Sequence, residues 1–160
     1  MQTLQIDVFT FDELDDDAKK TAREWYRSGP IDYAWTQESI DSIKSFCDFF
    51  GVTLTSWECG PYQSPCYKTD AENRHFRGIK LFSIDREQMP TGYCLDCDLW
   101  NTFHDEFKKT GDAKGAFDSA LWAGFIAWRN DMENQLSDEY IDDFLVANEY
   151  QFTIDGGIFK

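Results

Sequence analysis

The chain is short of positive charge, histidine, proline and long apolar runs. Its 160 residues carry 15 Lys and Arg against 30 Asp and Glu, a formal net charge of -15. Nucleic-acid binding needs cations to replace the counterions that phosphates release, so this deficit argues against direct nucleic-acid contact. The same repulsion argues against an anionic membrane surface. No stretch approaches the roughly 20 apolar residues of a membrane span. Met1 to Thr10 lacks the basic region and apolar run of a secretory signal, so the expected location is the cytoplasm. Five cysteines, Cys47, Cys59, Cys66, Cys94 and Cys97, make an odd count that suits a reducing compartment rather than a disulfide framework. The nucleotide-binding and hydrolase motifs G-x-G-x-x-G, the P-loop, G-x-S-x-G and H-E-x-x-H are absent. Neither His75 nor His104 has a nucleophile beside it in the sequence, so the chain is not expected to be an enzyme or to carry a cofactor.

What is present is a core. Hydrophobic residues make up 42% of the chain and aromatics 17%, which argues against disorder despite the charge. Leu4, Ile6 and Val8 alternate as an opening strand. Asp12 or Asp15 can cap a helix bearing Leu14, Ala18, Ala22, Trp25 and Tyr26 on one face, with Gly29 and Pro30 ending it. A second helix spans 33–50, with Trp35, Ser39, Ile40, Ile43, Phe46, Cys47 and Phe50 on its apolar face. Residues 52–58 read as a strand, 59–73 as irregular or a short hairpin, 75–84 as a strand and 85–97 as a loop. Residues 98–109 form a helix, and 111–115 break it. A long stripe follows, through Phe117, Ala120, Leu121, Gly124, Phe125, Trp128 and Met132. Ser137 caps a last helix that ends at Asn148, and 151–154 form a closing strand. With no linker or internal repeat, residues 1–160 are expected to form one α+β domain, a small antiparallel sheet packed with four to five helices.

The acids are unevenly placed. Residues 1–60 hold 12 acids and 5 bases, 61–100 hold 6 and 5, and 101–160 hold 12 and 5. The strongest candidate surface is a ridge on the last helix, where Asp138, Glu139, Asp142 and Asp143 recur at i, i+1, i+4 and i+5. Tyr140, Ile141, Phe144 and Leu145 face inward. Like charges at i, i+4 weaken a helix by a few tenths of a kcal/mol. Their retention without a nearby lysine suggests that the field itself is used. Trp57, Tyr62 and Tyr67, in the near-neutral middle, are candidates for an aromatic anchor. Cys59, Cys66, Cys94 and Cys97 give C-x6-C and C-x2-C spacings, the ligand count of a tetrahedral zinc site. The first spacing is loose for a knuckle, and no bases help form thiolates, so four reduced cysteines are preferred.

Three segments carry a resemblance. FDELDDDAKKTAREWYR (11–27), PTGYCLDCDL (90–99) and QLSDEYIDDFLVANEYQFTIDG (135–156) resemble, in this order, segments of a family of small acidic proteins encoded by bacteriophages and prophages. Some members bear the label of an antitoxin of a toxin–antitoxin stability system. The resemblance implies a small acidic fold made in a bacterial host cell, and it implies no catalytic residues. Two expectations follow. The first is a non-enzymatic inhibitor of a host defence or nucleic-acid-binding protein, presenting a phosphate-like negative surface to a basic partner; carboxylates at i, i+4 lie roughly 5–6 Å apart. The alternative is an antitoxin-like or regulatory partner that binds one protein through apolar contacts.

Overall fold

The computed structural model describes residues 7–73, 76 and 89–159. The fold is α+β: among the described residues five helices accompany two separate two-stranded antiparallel sheets. The elements are β1 (Phe9–Thr10), α1 (Asp16–Ser28), α2 (Thr36–Phe49), β2 (Leu54–Glu58), β3 (Cys66–Thr69), α3 (Leu95–Thr110), α4 (Ala113–Asn134), α5 (Asp138–Ala147) and β4 (Gln151–Phe152), with short 3-10 turns at Phe11–Glu13 and Ala71–Asn73. The chain divides into two compact units, one of Met1–Tyr33 with Asn134–Lys160, the other of Ala34–Glu133.

The first unit joins the two ends of the chain. β1 pairs antiparallel with β4, Phe9 opposite Phe152 and Thr10 opposite Gln151. The Asp15 carboxylate accepts the Ala18 N–H at 2.8 Å and caps α1, with Asp16 and Asp17 in the positive first turn and Arg27 in the last. Pro30 pushes Gly29 into extended backbone and ends the helix. Ser137 caps α5 by accepting the Tyr140 N–H at 3.2 Å. Phe11, Leu14, Ala18, Ala22, Ile141, Leu145 and Phe152 form the core. The Tyr26 and Phe144 rings pack beside it at 5.2 Å.

The second unit is an aromatic core inside three helices and a hairpin. Phe46 stacks on Phe117 at 5.5 Å and meets Trp100 edge-on at 5.0 Å, while Phe50 packs on Phe103 at 4.8 Å. Gly124 allows α4 to approach α3, because a Cβ there would lie 2.5 Å from a Leu99 methyl. Its stripe partners Phe117, Ala120, Leu121, Phe125, Trp128 and Met132 are all buried.

Several local expectations shift. The opening strand falls largely outside the described residues, and so does almost all of the expected 75–84 strand. A second hairpin strand, β3, emerges within the segment read as irregular or a short hairpin, pairing with β2. α3 begins at Leu95 rather than 98. The Asp96 side chain turns back to accept the N–H groups of Thr91 and Gly92 at 2.9 and 3.1 Å, which starts the helix early. Trp35 is 58% exposed, because it precedes α2 in left-handed backbone and stacks on Tyr93 instead of entering the core.

Of the glycines in the first unit, Gly156 leaves the least room for a Cβ. Its φ is +83°, and a Cβ there would lie 2.1 Å from the Ala18 carbonyl oxygen. Gly156→Ala is expected to destabilise the protein by more than about 1 kcal/mol, because the new methyl meets backbone and the left-handed conformation penalises it. Chemical denaturation checks this, and an unchanged midpoint would contradict the packing.

Candidate functional site

The acidic ridge of α5 is partly an internal bond. Arg23 on α1 forks onto Asp142, Nε to Oδ1 and Nη2 to Oδ2, both at 2.6 Å. Both side chains are largely covered, at 21% and 30% exposure. Arg27 donates to Asp138 and, at 3.0 and 3.1 Å, to the Leu136 carbonyl, and Arg23 also lies 3.7 Å from Asp138. Two arginines at i, i+4 therefore face two aspartates at i, i+4. The fork onto Asp142 pushes the Arg23 guanidinium above its ordinary pKa. The Arg27 contact holds the Asp138 carboxyl below its own. This corrects the ridge as read from sequence: Asp138 and Asp142 hold α5 to α1. Glu139 and Asp143 stay exposed and, among the described residues, form no ion pair.

The remaining charge of this unit is lopsided. Its sequence holds 14 acids and 5 bases. All four described bases are engaged inside it. Besides the two arginines, Lys20 lies 4.0 Å from Glu24, and Lys19 sits over the Phe11 ring at 5.6 Å. From 130 to 159 the chain has no Lys or Arg.

A groove of about 350 Å³ opens between the Phe11–Glu13 turn and the end of α5, lined by Phe11, Asp12, Leu145, Val146, Glu149 and Tyr150 among others. Its lining is mixed, with Phe11, Leu145 and Val146 beside the two acidic residues Asp12 and Glu149. α5 closes through a Tyr150 N–H to Leu145 carbonyl bond at 3.1 Å and a Glu149 N–H to Val146 carbonyl bond at 3.0 Å. Glu149 then occupies left-handed backbone, φ +54°, where helix endings favour glycine. A carboxylate is held at the groove at a cost of about 1–2 kcal/mol.

The aromatic candidates separate. Tyr67 stacks on Phe125 with centroids 4.5 Å apart, so it is a packing residue, and burial pushes its hydroxyl up to about 12. Trp57 is 40% exposed, with the Lys44 ammonium 4.8 Å above its ring. Tyr62 is 75% exposed at the hairpin tip, in left-handed backbone, its N–H donated to Glu133 at 2.9 Å. The cysteines do not form the tetrahedral zinc site. Among the described residues no three His, Cys, Asp or Glu side chains converge to hold a metal ion. Cys59 points at the Phe125 carbonyl, 3.6 Å away, and burial pushes its thiol up to about 11. Cys66, Cys94 and Cys97 are exposed, and Cys94 and Cys97 sit at the start of α3. His104 packs beside Trp100 and Phe103 on the same helix; His75 lies outside the described residues.

Arg23 and Arg27 are the residues that the sequence reading missed. The signal was available in the matched four-residue spacings of Arg23/Arg27 and Asp138/Asp142, but more than a hundred residues separate them.

Two outcomes follow. Asp142→Asn is expected to cost about 1–2 kcal/mol, the range for losing charged hydrogen bonds at a partly covered site. Glu139→Gln with Asp143→Asn should leave the denaturation midpoint unchanged; equal losses in both variants would contradict the division. Acid should also weaken this unit. Glu13 is held below 4.5 by the Thr10 N–H, and Asp138 and Asp155 are held below 3.8 by Arg27 and the Thr153 hydroxyl. Folded values below unfolded ones mean that the unfolded chain takes up protons first as pH falls. The stabilisation is full above the ordinary values and lost as pH drops through the depressed ones. Melting followed from pH 5 to pH 3 checks the direction.

No family model matches this chain, and no curated protein or solved structure matches it.

Proposed function

We propose that the protein is a non-enzymatic acidic binding protein that occupies the basic surface of one partner in a bacterial cytoplasm. A host defence or nucleic-acid-binding protein, whose cationic channel normally receives phosphates, is the class of partner that fits. The observation that carries this reading is the allocation of charge in the unit built from the chain ends. Its two arginines are tied to Asp138 and Asp142, and among the described residues Asp12, Glu139, Asp143 and Glu149 are exposed and form no ion pair. Such a field speeds encounter with a cationic cleft and makes binding salt-sensitive. The groove lined by Asp12 and Glu149 together with Phe11, Leu145 and Val146 offers a cationic side chain two acidic residues and apolar surface for its methylene stem. The resemblance to phage-encoded proteins supports the cellular setting. Among the described residues no helix is long and apolar enough to cross a membrane.

A second reading, a regulatory or antitoxin-like partner held by apolar contacts, is favoured by Tyr62, an aromatic ring exposed on strained backbone at a hairpin tip.

Glu149→Gly separates folding from function. Glycine relaxes the left-handed position, so the variant should be as stable as the parent or more so, by up to about 1 kcal/mol. It should nevertheless bind the basic partner, captured on wild-type protein from host extract, several-fold more weakly, and nucleic acid should displace that partner from the wild type. Full binding by Glu149→Gly, with loss on Tyr62→Ala, would favour the apolar reading.

A further inference from the structure

We propose that Met89, Cys94 and Cys97 form a three-sulfur site for a soft monovalent cation, Cu(I). The turn before α3 builds it. The Gly92 N–H donates to the Met89 carbonyl at 3.1 Å, and a φ of +77° at Gly92 lets the chain double back. The fold-back lays the Met89 side chain against the first turn of α3, where the Cys97 Sγ lies 3.9 Å from the Met89 Sδ. Cys94 occupies the cap position of α3, and the Cys97 N–H donates to its carbonyl at 3.0 Å. That i, i+3 spacing puts both thiols on one face of the turn.

The donor set selects the ion. Thiolate and thioether are soft ligands that favour Cu(I) over hard divalent cations. Metal–sulfur bonds of about 2.3 Å place the sulfurs of a trigonal site about 4 Å apart, the separation already present between Cys97 and Met89. The carboxylate of Asp96 is already engaged elsewhere. Asp96, between the two cysteines, is fully buried, and its carboxylate is taken by the Thr91 and Gly92 N–H groups and the Thr91 hydroxyl. The helix N-terminus offsets the negative charge that two thiolates leave on bound Cu(I). All three sulfur side chains are exposed, so an ion can be taken up and passed on without opening the fold. A thioether has no part in a Cys94–Cys97 disulfide, so such a bridge would not account for Met89. The site lies away from the acidic groove residues in sequence and does not depend on the binding reading above.

The test is competition for Cu(I) between the fully reduced protein and the chromogenic chelator bicinchoninate, under nitrogen. The wild type should withdraw one Cu(I) per chain. Cys94→Ser and Cys97→Ser should each abolish the withdrawal, and Met89→Leu should weaken it by at least about tenfold. A Cys59→Ser/Cys66→Ser variant should behave as wild type, and excess Zn(II) should not displace the ion. Circular dichroism should show the Met89, Cys94 and Cys97 variants folded, since those positions are at the surface. No withdrawal by wild type, undiminished withdrawal by either Cys94→Ser or Cys97→Ser, a Met89→Leu variant equal to wild type, or displacement by Zn(II) would each overturn the proposal.

Discussion

The fork from Arg23 to Asp142 is the contact on which the first unit turns. It joins α1 near the start of the chain to α5 near its end, across 119 residues. Among the described residues the apolar core beside it has seven buried side chains, two of them alanines, with Phe9, Tyr26, Phe144, Tyr150 and Ile158 packed against them. Two largely covered, parallel hydrogen bonds between opposite charges fix the helix pair in register, and Phe11 and Phe152 then close edge-to-face at 6.1 Å. Arg23 also lies 5.8 Å from the Phe11 ring, so one guanidinium touches both the ion pair and the core.

That use of the arginines determines what the surface is. A protein with twice as many acids as bases could scatter its bases and blunt its field. Here the two arginines of the terminal unit are committed to Asp138 and Asp142, Lys19 lies over the Phe11 ring, and among the described residues Asp12, Glu139, Asp143 and Glu149 form no ion pair. Stability and charge display are thereby divided between neighbouring residues of one helix. Asp138 and Asp142 hold the fold, while Glu139 and Asp143 belong to the surface. The strained Glu149 extends the same division, since a relaxed helix end would carry glycine there.

Local signals were legible in the sequence, and long-range ones were not. Asp15 and Ser137 announce helix starts because capping is decided within four residues. Gly29–Pro30 and Asn148 announce ends for the same reason. The apolar stripe of α4 is readable because helical spacing repeats over about four turns. The pairing of Arg23 and Arg27 with the α5 ridge lies beyond any local window, so the ridge reads as uncompensated when half of it is paired. The early start of α3 depends on Asp96 folding back onto Thr91 and Gly92, which makes a helix start look like a loop. Trp35 and Tyr67 exchange the places that composition suggests for them: the first lies at the surface and the second against Phe125.

On the proposed reading, the exposed carboxylates of the terminal unit draw in a cationic partner. The most direct measurement is the association rate constant with that partner as ionic strength rises, compared between wild type and a variant in which Asp12, Glu139, Asp143 and Glu149 become Asn or Gln. The account predicts a steep fall with salt for the wild type, a slower and much flatter rate for the variant, and convergence of the two at high salt. Equal rates and equal salt dependence would contradict it and leave the carboxylates as a device for solubility.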